Sequence, residues 1–408
     1  MSGEDRRGES ASRHRRTWRA WSTVLPCSAE NSHNDSLRAA AEYGSSRVIQ
    51  QSLTTGVWTM EAKKCAFLLT SSLALLALAS SANAEETQAT QASIESNSGR
   101  RLREVVVSHT DDKGILQLYR MNEDGSHSRQ LTHSERGCRM PASSPDGKRL
   151  VFVQQIGHGL SLWISDLDGK NARALSDDGR NLLPSWLPDS KHVVWMKPQP
   201  GQDPSRNSQI HLMNTETGES RRLFTDPEQL KFSNSMPVVS PQGDRIAFVS
   251  NRGGGMRIWV SDLDGSNARA ISPVASDLEE TLQLPMEQKV PAWSPDGKWI
   301  AHWEGVEMTH LSRFTGKQDR ERDRLITQTW NVWIVGRDGK NKRKIGRGDD
   351  PTWSPDGFVT RAFPDPERGG PKVMIETKSG DKELLIVPRK KNWGRFTWVP
   401  HSVRIRTD

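Results

Sequence analysis

The chain has 408 residues, 34% of them apolar and 26% charged, which excludes a collagen, a mucin-like stalk and a multi-span membrane protein. Its 57 Lys and Arg against 50 Asp and Glu leave a formal charge of +7, too small a surplus to point to nucleic acid. Three Cys are too few for a disulfide framework, and 15 Trp against 2 Tyr and 9 Phe is the unusual figure.

Taken in chain order, the first element reads as a secretory signal at 60–84. Met60 opens a basic start with Lys63 and Lys64, the apolar run covers 65–79, and Ala82-Asn83-Ala84 is a small-x-small cleavage site. That run is short for a membrane span. Residues 1–59 are polar and Arg-rich, so translation is expected to start at Met60, with 1–59 a non-native or disordered extension. Eight Arg against six acids in 1–59, and two Lys against one Glu in 60–84, leave +4 after Ala84. Cys27 and Cys65 fall in the removed part, so only Cys138 remains. Residues 85–102 read as a polar linker.

From residue 103 the chain repeats itself roughly every fifty residues. One unit runs Pro-x-x-Ser-Pro-Asp-Gly-Lys into an apolar strand. Its copies start at Pro141, Pro184, Pro237, Pro291 and Pro351, with a worn copy at Phe396. A second unit is a short apolar strand ending in a Gly turn, as in Leu162-Trp163-Ile164-Ser165-Asp166-Leu167-Asp168-Gly169. It has six copies, ending at Gly125, Gly169, Gly218, Gly265, Gly339 and Gly380. Pro pre-sets φ and Gly accepts positive φ, so Asp-Gly and Pro-Asp-Gly supply turns between β-branched and aromatic runs. Each repeat is thus four strands, a to d, and four-stranded repeats of this length build an all-β propeller. Six units predict six blades, with the last a-type strand near Trp398 closing blade 1. The run 402–406 (SVRIR) resembles one more strand b and keeps seven blades open.

These repeats resemble the WD40-like TolB propeller family (PD40 type) over about residues 103–408. The resemblance implies a six-bladed propeller in the periplasm, with envelope proteins as partners. In TolB an α/β domain precedes the propeller; here only 85–102 lies between the cleavage site and the first strand, so that domain is expected to be missing. The same repeat occurs in oligogalacturonate lyases and in the propellers of prolyl-oligopeptidase-type peptidases. A peptidase reading fails for want of a Gly-x-Ser-x-Gly elbow and of room for a hydrolase domain.

Connectivity sorts the loops. The a–b and c–d turns are short and uniform, and their Asp residues are expected to cap turns rather than bind metal. The b–c and d–a connections are long and irregular, the usual place for function on a rigid scaffold. The expected binding face carries His109, His133, Glu135, His158, Trp195, Trp303 and Trp393. His109, His133 and His158 are candidate metal ligands. Arg136 and Arg139 are candidate carboxylate holders for a lyase using a divalent metal. That metal is the sole cofactor considered. His302, Glu304, Glu307 and His310 form a second candidate group. The mixed-charge run 313–325 reads as a solvated protrusion. Trp163, Trp259 and Trp333 share one strand position, and Trp186, Trp293, Trp353 and Trp398 another, which marks packing between blades.

The expectation is an exported, monomeric envelope propeller binding a protein or glycan, with no nucleic-acid partner and no membrane domain after cleavage. A secreted uronate-polymer lyase and a structural propeller in a larger assembly are the alternatives. No motif fixes titratable groups together, so binding is expected rather than catalysis.

Overall fold

The computed structural model describes residues 102–404, except 177, 200–206, 272, 274–282, 308–309, 312–318, 366–369, 378–379, 385, 388–390 and 392. The expected extension 1–59, the expected signal 60–84 and the expected linker up to Arg101 lie outside the described residues.

Six antiparallel four-stranded sheets form, each ordered a-b-c-d. Blade 1 takes its inner strand from the far end of the chain: Trp393–Arg404 pairs with Leu102–Thr110, followed by Leu116–Asn122 and Arg129–Gln130. Blade 2 is Cys138–Ser143, Arg149–Ile156, Gly159–Asp166 and Arg173–Ala174. Blade 3 is Leu182–Trp186, His192–Pro198, Ser208–Asn214 and Ser220–Arg222. Blade 4 is Asn234–Val239, Arg245–Ser250, Arg257–Asp262 and Arg269–Ala270. Blade 5 is Met286–Trp293, Trp299–Val306, Asn331–Gly336 and Arg343–Arg347. Blade 6 is Asp349–Trp353, Val359–Asp365, Gly370–Thr377 and Gly380–Leu384. The run that kept a seventh blade open continues the closing strand instead, with Val403 and Arg404 opposite Arg103 and Leu102. Closure of this kind removes the ring's open edge.

The turns behave as their residues predict. Ser144, Ser294 and Ser354 donate their hydroxyls to Asp146, Asp296 and Asp356, at 2.5, 2.6 and 2.7 Å. The same hydroxyls accept the N–H of Arg149, Trp299 and Phe358. In the c–d turns Asn171 and Asn267 take positive φ and donate to Asp166 and Asp262 at 2.6 and 2.7 Å, which suits Asn, a residue tolerant of that region. The acidic turn residues therefore cap.

Packing between blades uses the repeated Trp. The indoles of Trp186, Trp293 and Trp353 each donate to a carbonyl on another blade's inner strand: Ala142, Val238 and Ala292, at 2.9 to 3.0 Å. The Arg of the Asn-Ala-Arg unit adds a second clip, as where Arg173 donates to the Thr215 carbonyl at 2.6 Å. Among the described residues two helices lie in connections: α1 (Pro227–Leu230) and α2 (Arg320–Gln328). Asp319 caps α2, and Ile326 buries with Met286, Val306 and Leu311. Part of the run expected to be a protrusion is therefore an anchored helix.

Candidate functional site: the channel and its loop-bearing rim

The six inner strands surround a cavity of about 290 Å³ on the propeller axis. Five of them break register at the residue before their first Pro. There Met140, Leu183, Met236, Val290 and Asp350 hold φ between 45° and 56°. A non-glycine residue in that region costs on the order of 1 kcal/mol or more, and such strain tends to collect where side chains are being aimed. Blade 1 has Arg395 at the equivalent position, before Phe396 rather than Pro.

These six positions line the cavity in two sectors. Leu183 and Met236 belong to one apolar cluster, with Met140 and Val290 packed against it. Opposite in character, Asp350 of blade 6 and Arg395 of blade 1 form an ion pair, with 20% and 29% of their side-chain surface accessible. Asp349 adds a second carboxyl. Burial, reinforced by the charge of Asp350 and opposed by Arg395, raises its pKa to about 7. Asp350 is also raised, by burial, against the pull of Arg395. Like charges held in a poorly solvated place resist ionising together.

Blades 1 and 2 carry several of the residues expected on the binding face. His133, Glu135, Arg136 and His158 are all exposed. Arg136 donates to the Gly157 carbonyl at 3.1 Å, tying the d–a loop to the hairpin that carries His158. His133 Nδ1 lies 3.1 Å from the Gln130 amide. Arg139 is half-buried on Gln155 at 3.1 Å, and burial lowers its pKa. Trp393 lies in the closing strand opposite His109.

Other expectations change. His109 is in strand b, not a loop. Its ring is buried and stacks on Tyr119 at 3.8 Å, and burial lowers its pKa. Among the described residues no three or more His, Cys, Asp or Glu side chains are arranged to hold a metal ion, so His109, His133 and His158 do not form the ligand set a lyase metal would need. Trp195 and Trp303, with 2% and 7% of their surface accessible, are not open on the loop face. Trp195 pairs with His211 as Phe152 pairs with Trp163 and Phe248 with Trp259, so it fills a core position of strand b.

His302 occupies that same strand position in blade 5, opposite Trp333. It is fully buried, and its Nε2 lies 3.6 Å from Glu304, longer than a hydrogen bond. Glu304 accepts from Lys342 at 2.6 Å and Gln288 at 3.1 Å. Burial works to raise the Glu304 pKa, but His302, Lys342 and Gln288 outweigh it and hold the carboxyl down at about 2. Glu307 turns to Lys289 instead. His310 donates its backbone N–H to the Glu307 carbonyl at 3.1 Å. The second candidate group is therefore divided, and its centre is a closed core cluster.

The model of the family described as the TolB beta propeller domain matches residues 101–331, more than half of the chain. The chain belongs to the TolB propeller family. It is 27% identical over 164 residues to a protein TolB homolog of Chlorobium luteolum, covering 40% of this chain and 35% of that one. It is 24% identical over 193 residues to the uncharacterized peptidase YuxL of Bacillus subtilis, covering 39% and 28%. The crystal structure of TolB from Acinetobacter baumannii superposes with a TM-score of 0.55 at 18% identity, over 73% of this chain and 67% of that one; at that identity the likeness shows the fold. The matches thus span only about a third of the length of the curated relatives.

In this TolB-type propeller the channel pair, Asp350 and Arg395, lies outside the site residues expected from the sequence. The signal was present in the residue before each repeat Pro, where Met, Leu, Met and Val give way to Asp350, and where the worn copy has Arg395.

Proposed function

We propose that the chain is an exported envelope propeller that binds a protein or glycan partner on the face bearing the b–c and d–a loops, over the channel. The observation that carries this reading is the two-sector channel, apolar on one side and holding the Asp350–Arg395 pair on the other. That face also presents His133, Glu135, Arg136 and His158, whereas the opposite face is closed by turns whose polar groups bond one another. The signal-like segment 60–84 and the TolB family support export. Among the described residues no helix is long and apolar enough to cross a membrane. Membership of the TolB propeller family supports partnering in the envelope.

The test is affinity capture from envelope extracts with two charge reversals in one region of the ring. Arg136→Glu changes the loop face and Lys170→Glu changes a c–d turn, where the side chain is 75% accessible. The expected result is a partner captured by the parent and by Lys170→Glu and lost from Arg136→Glu. Loss from Lys170→Glu with retention by Arg136→Glu would place the interface on the other face and overturn the reading.

A further inference from the structure

Blade 4 carries two arginines, Arg252 and Arg257, at its b–c hairpin. Its b–c connection is Asn251-Arg252-Gly253-Gly254-Gly255-Met256. Arg252 folds back beneath this loop, its guanidinium carbon 5.1 Å from the Phe248 and Trp259 ring centroids and 5.6 Å from that of Phe232. Nε donates to Ser250 Oγ at 3.1 Å and Nη2 to Asn234 Oδ1 at 2.7 Å. Arg257, whose Cα faces that of Ser250 across the hairpin, donates to the main-chain carbonyls of Met256 and Met286. Every acceptor of the two guanidinium groups among the described residues is neutral.

Elsewhere several buried or half-buried arginines meet a carboxylate, while Arg139 has only the Gln155 amide. Arg103 meets Glu123, Arg120 meets Glu104, Arg361 meets Asp381 and Arg395 meets Asp350. An uncompensated guanidinium is costly when partly desolvated, and aromatic faces repay only part of that cost. Burial indeed lowers the Arg252 pKa, with no carboxylate opposing it. The glycines keep the approach open. A Cβ at Gly253 would lie 3.5 Å from Trp259, one at Gly255 3.4 Å from Arg257 Nη1, and Gly254 turns at φ +90° with nothing within 4 Å.

We propose that this loop of blade 4 is a carboxylate-binding site, in which Arg252 and Arg257 supply charge and N–H donors to an acidic group of a partner. A guanidinium fork matches the two oxygens of a carboxylate. The acid can belong to a sugar acid or to a peptide side chain. The site lies on blade 4, with one carbonyl contact to Met286 of blade 5, and is independent of the Asp350–Arg395 pair.

The experiment follows the arginine Nε–H resonances of the full chain during titration with galacturonate, with N-acetylglutamate α-amide, and with uncharged galactose. The expected result is a saturable shift of the Arg252 resonance with one or both acids, complete by about 10 mM, and none with galactose. Stronger response to galacturonate assigns a glycan acid, and stronger response to the glutamate derivative assigns an acidic peptide; either supports the site. Arg252→Gln and, separately, Arg257→Gln are expected to weaken binding at least tenfold. Should Arg252→Gln not fold, Arg257→Gln carries the test. No saturable shift with either acid, an equal shift with galactose, or undiminished binding in a folded variant overturns the proposal.

Discussion

The two ends of the propeller turn the chain between antiparallel strands in opposite ways. At the turn end a Ser and an Asp recur in several blades, each Ser–Asp pair bonded within a few residues, with single clips such as Arg173 to Thr215 reaching the next blade. At the loop end no two blades match. There charged groups are buried or half-buried and partnered across long sequence distances, as in Lys289 with Glu307 and Arg395 with Asp350, and Glu304 draws in Lys342 from the c–d side. Local bonding makes an end interchangeable between blades and leaves it no spare chemistry. Long-range pairing makes each blade individual and leaves charges whose balance one substitution upsets.

The largest expected effect breaks this comparison directly. Glu304→Gln leaves the Lys342 ammonium, 13% accessible, without its carboxylate. The expected loss in urea unfolding at pH 7 is about 3–5 kcal/mol, partly recovered when Lys342→Met is added. At the turn end Lys298 and Asp296 stand 3.7 Å apart and open to solvent, so Lys298→Met is expected to produce no measurable change. The depressed Glu304 pKa adds a pH signature. Its contribution is full above the ordinary carboxylate value of 4.5 and fades as pH falls towards 2. Equal costs at the two ends would refute the contrast.

How much was legible follows the same division. Six blades, closure by the last strand and the packing role of Trp186, Trp293 and Trp353 could all be read from the sequence, because repetition displays a residue's job several times over. Turn capping by Asp146 and Asp296 was legible for the same reason. His302 was not, because it stands alone where Phe152 and Phe248 show that the position is core. Trp195 misled in a related way. It breaks the two Trp registers, yet it fills the strand-b position that other blades give to Phe. Asp350 and Arg395 were missed because they meet only across the seam between blades 6 and 1, a contact that neither repeat shows by itself.

The channel gives a second, smaller way to sharpen the contrast. Asp349, half-buried beside Asp350, has its pKa raised from 3.8 to about 7. Between those values the folded chain holds a proton that the unfolded chain has released. Stability therefore falls as pH rises through that window. Asp349→Asn removes this dependence. It is expected to gain roughly 1–3 kcal/mol at pH 8 and nothing at pH 4, measured by unfolding at a series of pH values. A flat difference between variant and parent across that range would show that Asp349 ionises normally, and the polar sector would then be an ordinary ion pair with a bystander.

The smallest effect tests the turn end where it departs from its own rule. Trp293 and Trp398 occupy equivalent inner-strand positions with 7% and 6% of their surface accessible, so Phe at either site removes a similar bulk. They differ in the indole N–H. That of Trp293 donates to Val238 at 3.0 Å, while that of Trp398 is buried without an acceptor among the described residues. Trp293→Phe therefore loses a bond and strands a carbonyl, whereas Trp398→Phe removes a donor that was already unpaired. The expected difference in unfolding free energy is about 1 kcal/mol, with Trp398→Phe the milder change. Equal costs would mean that packing alone holds the blades together and that the indole bonds only accompany it. A difference of the expected size would mean that the ring is stitched blade to blade and that its closing seam relies on other contacts, the guanidinium of Arg103 over the Trp398 ring at 5.5 Å among them.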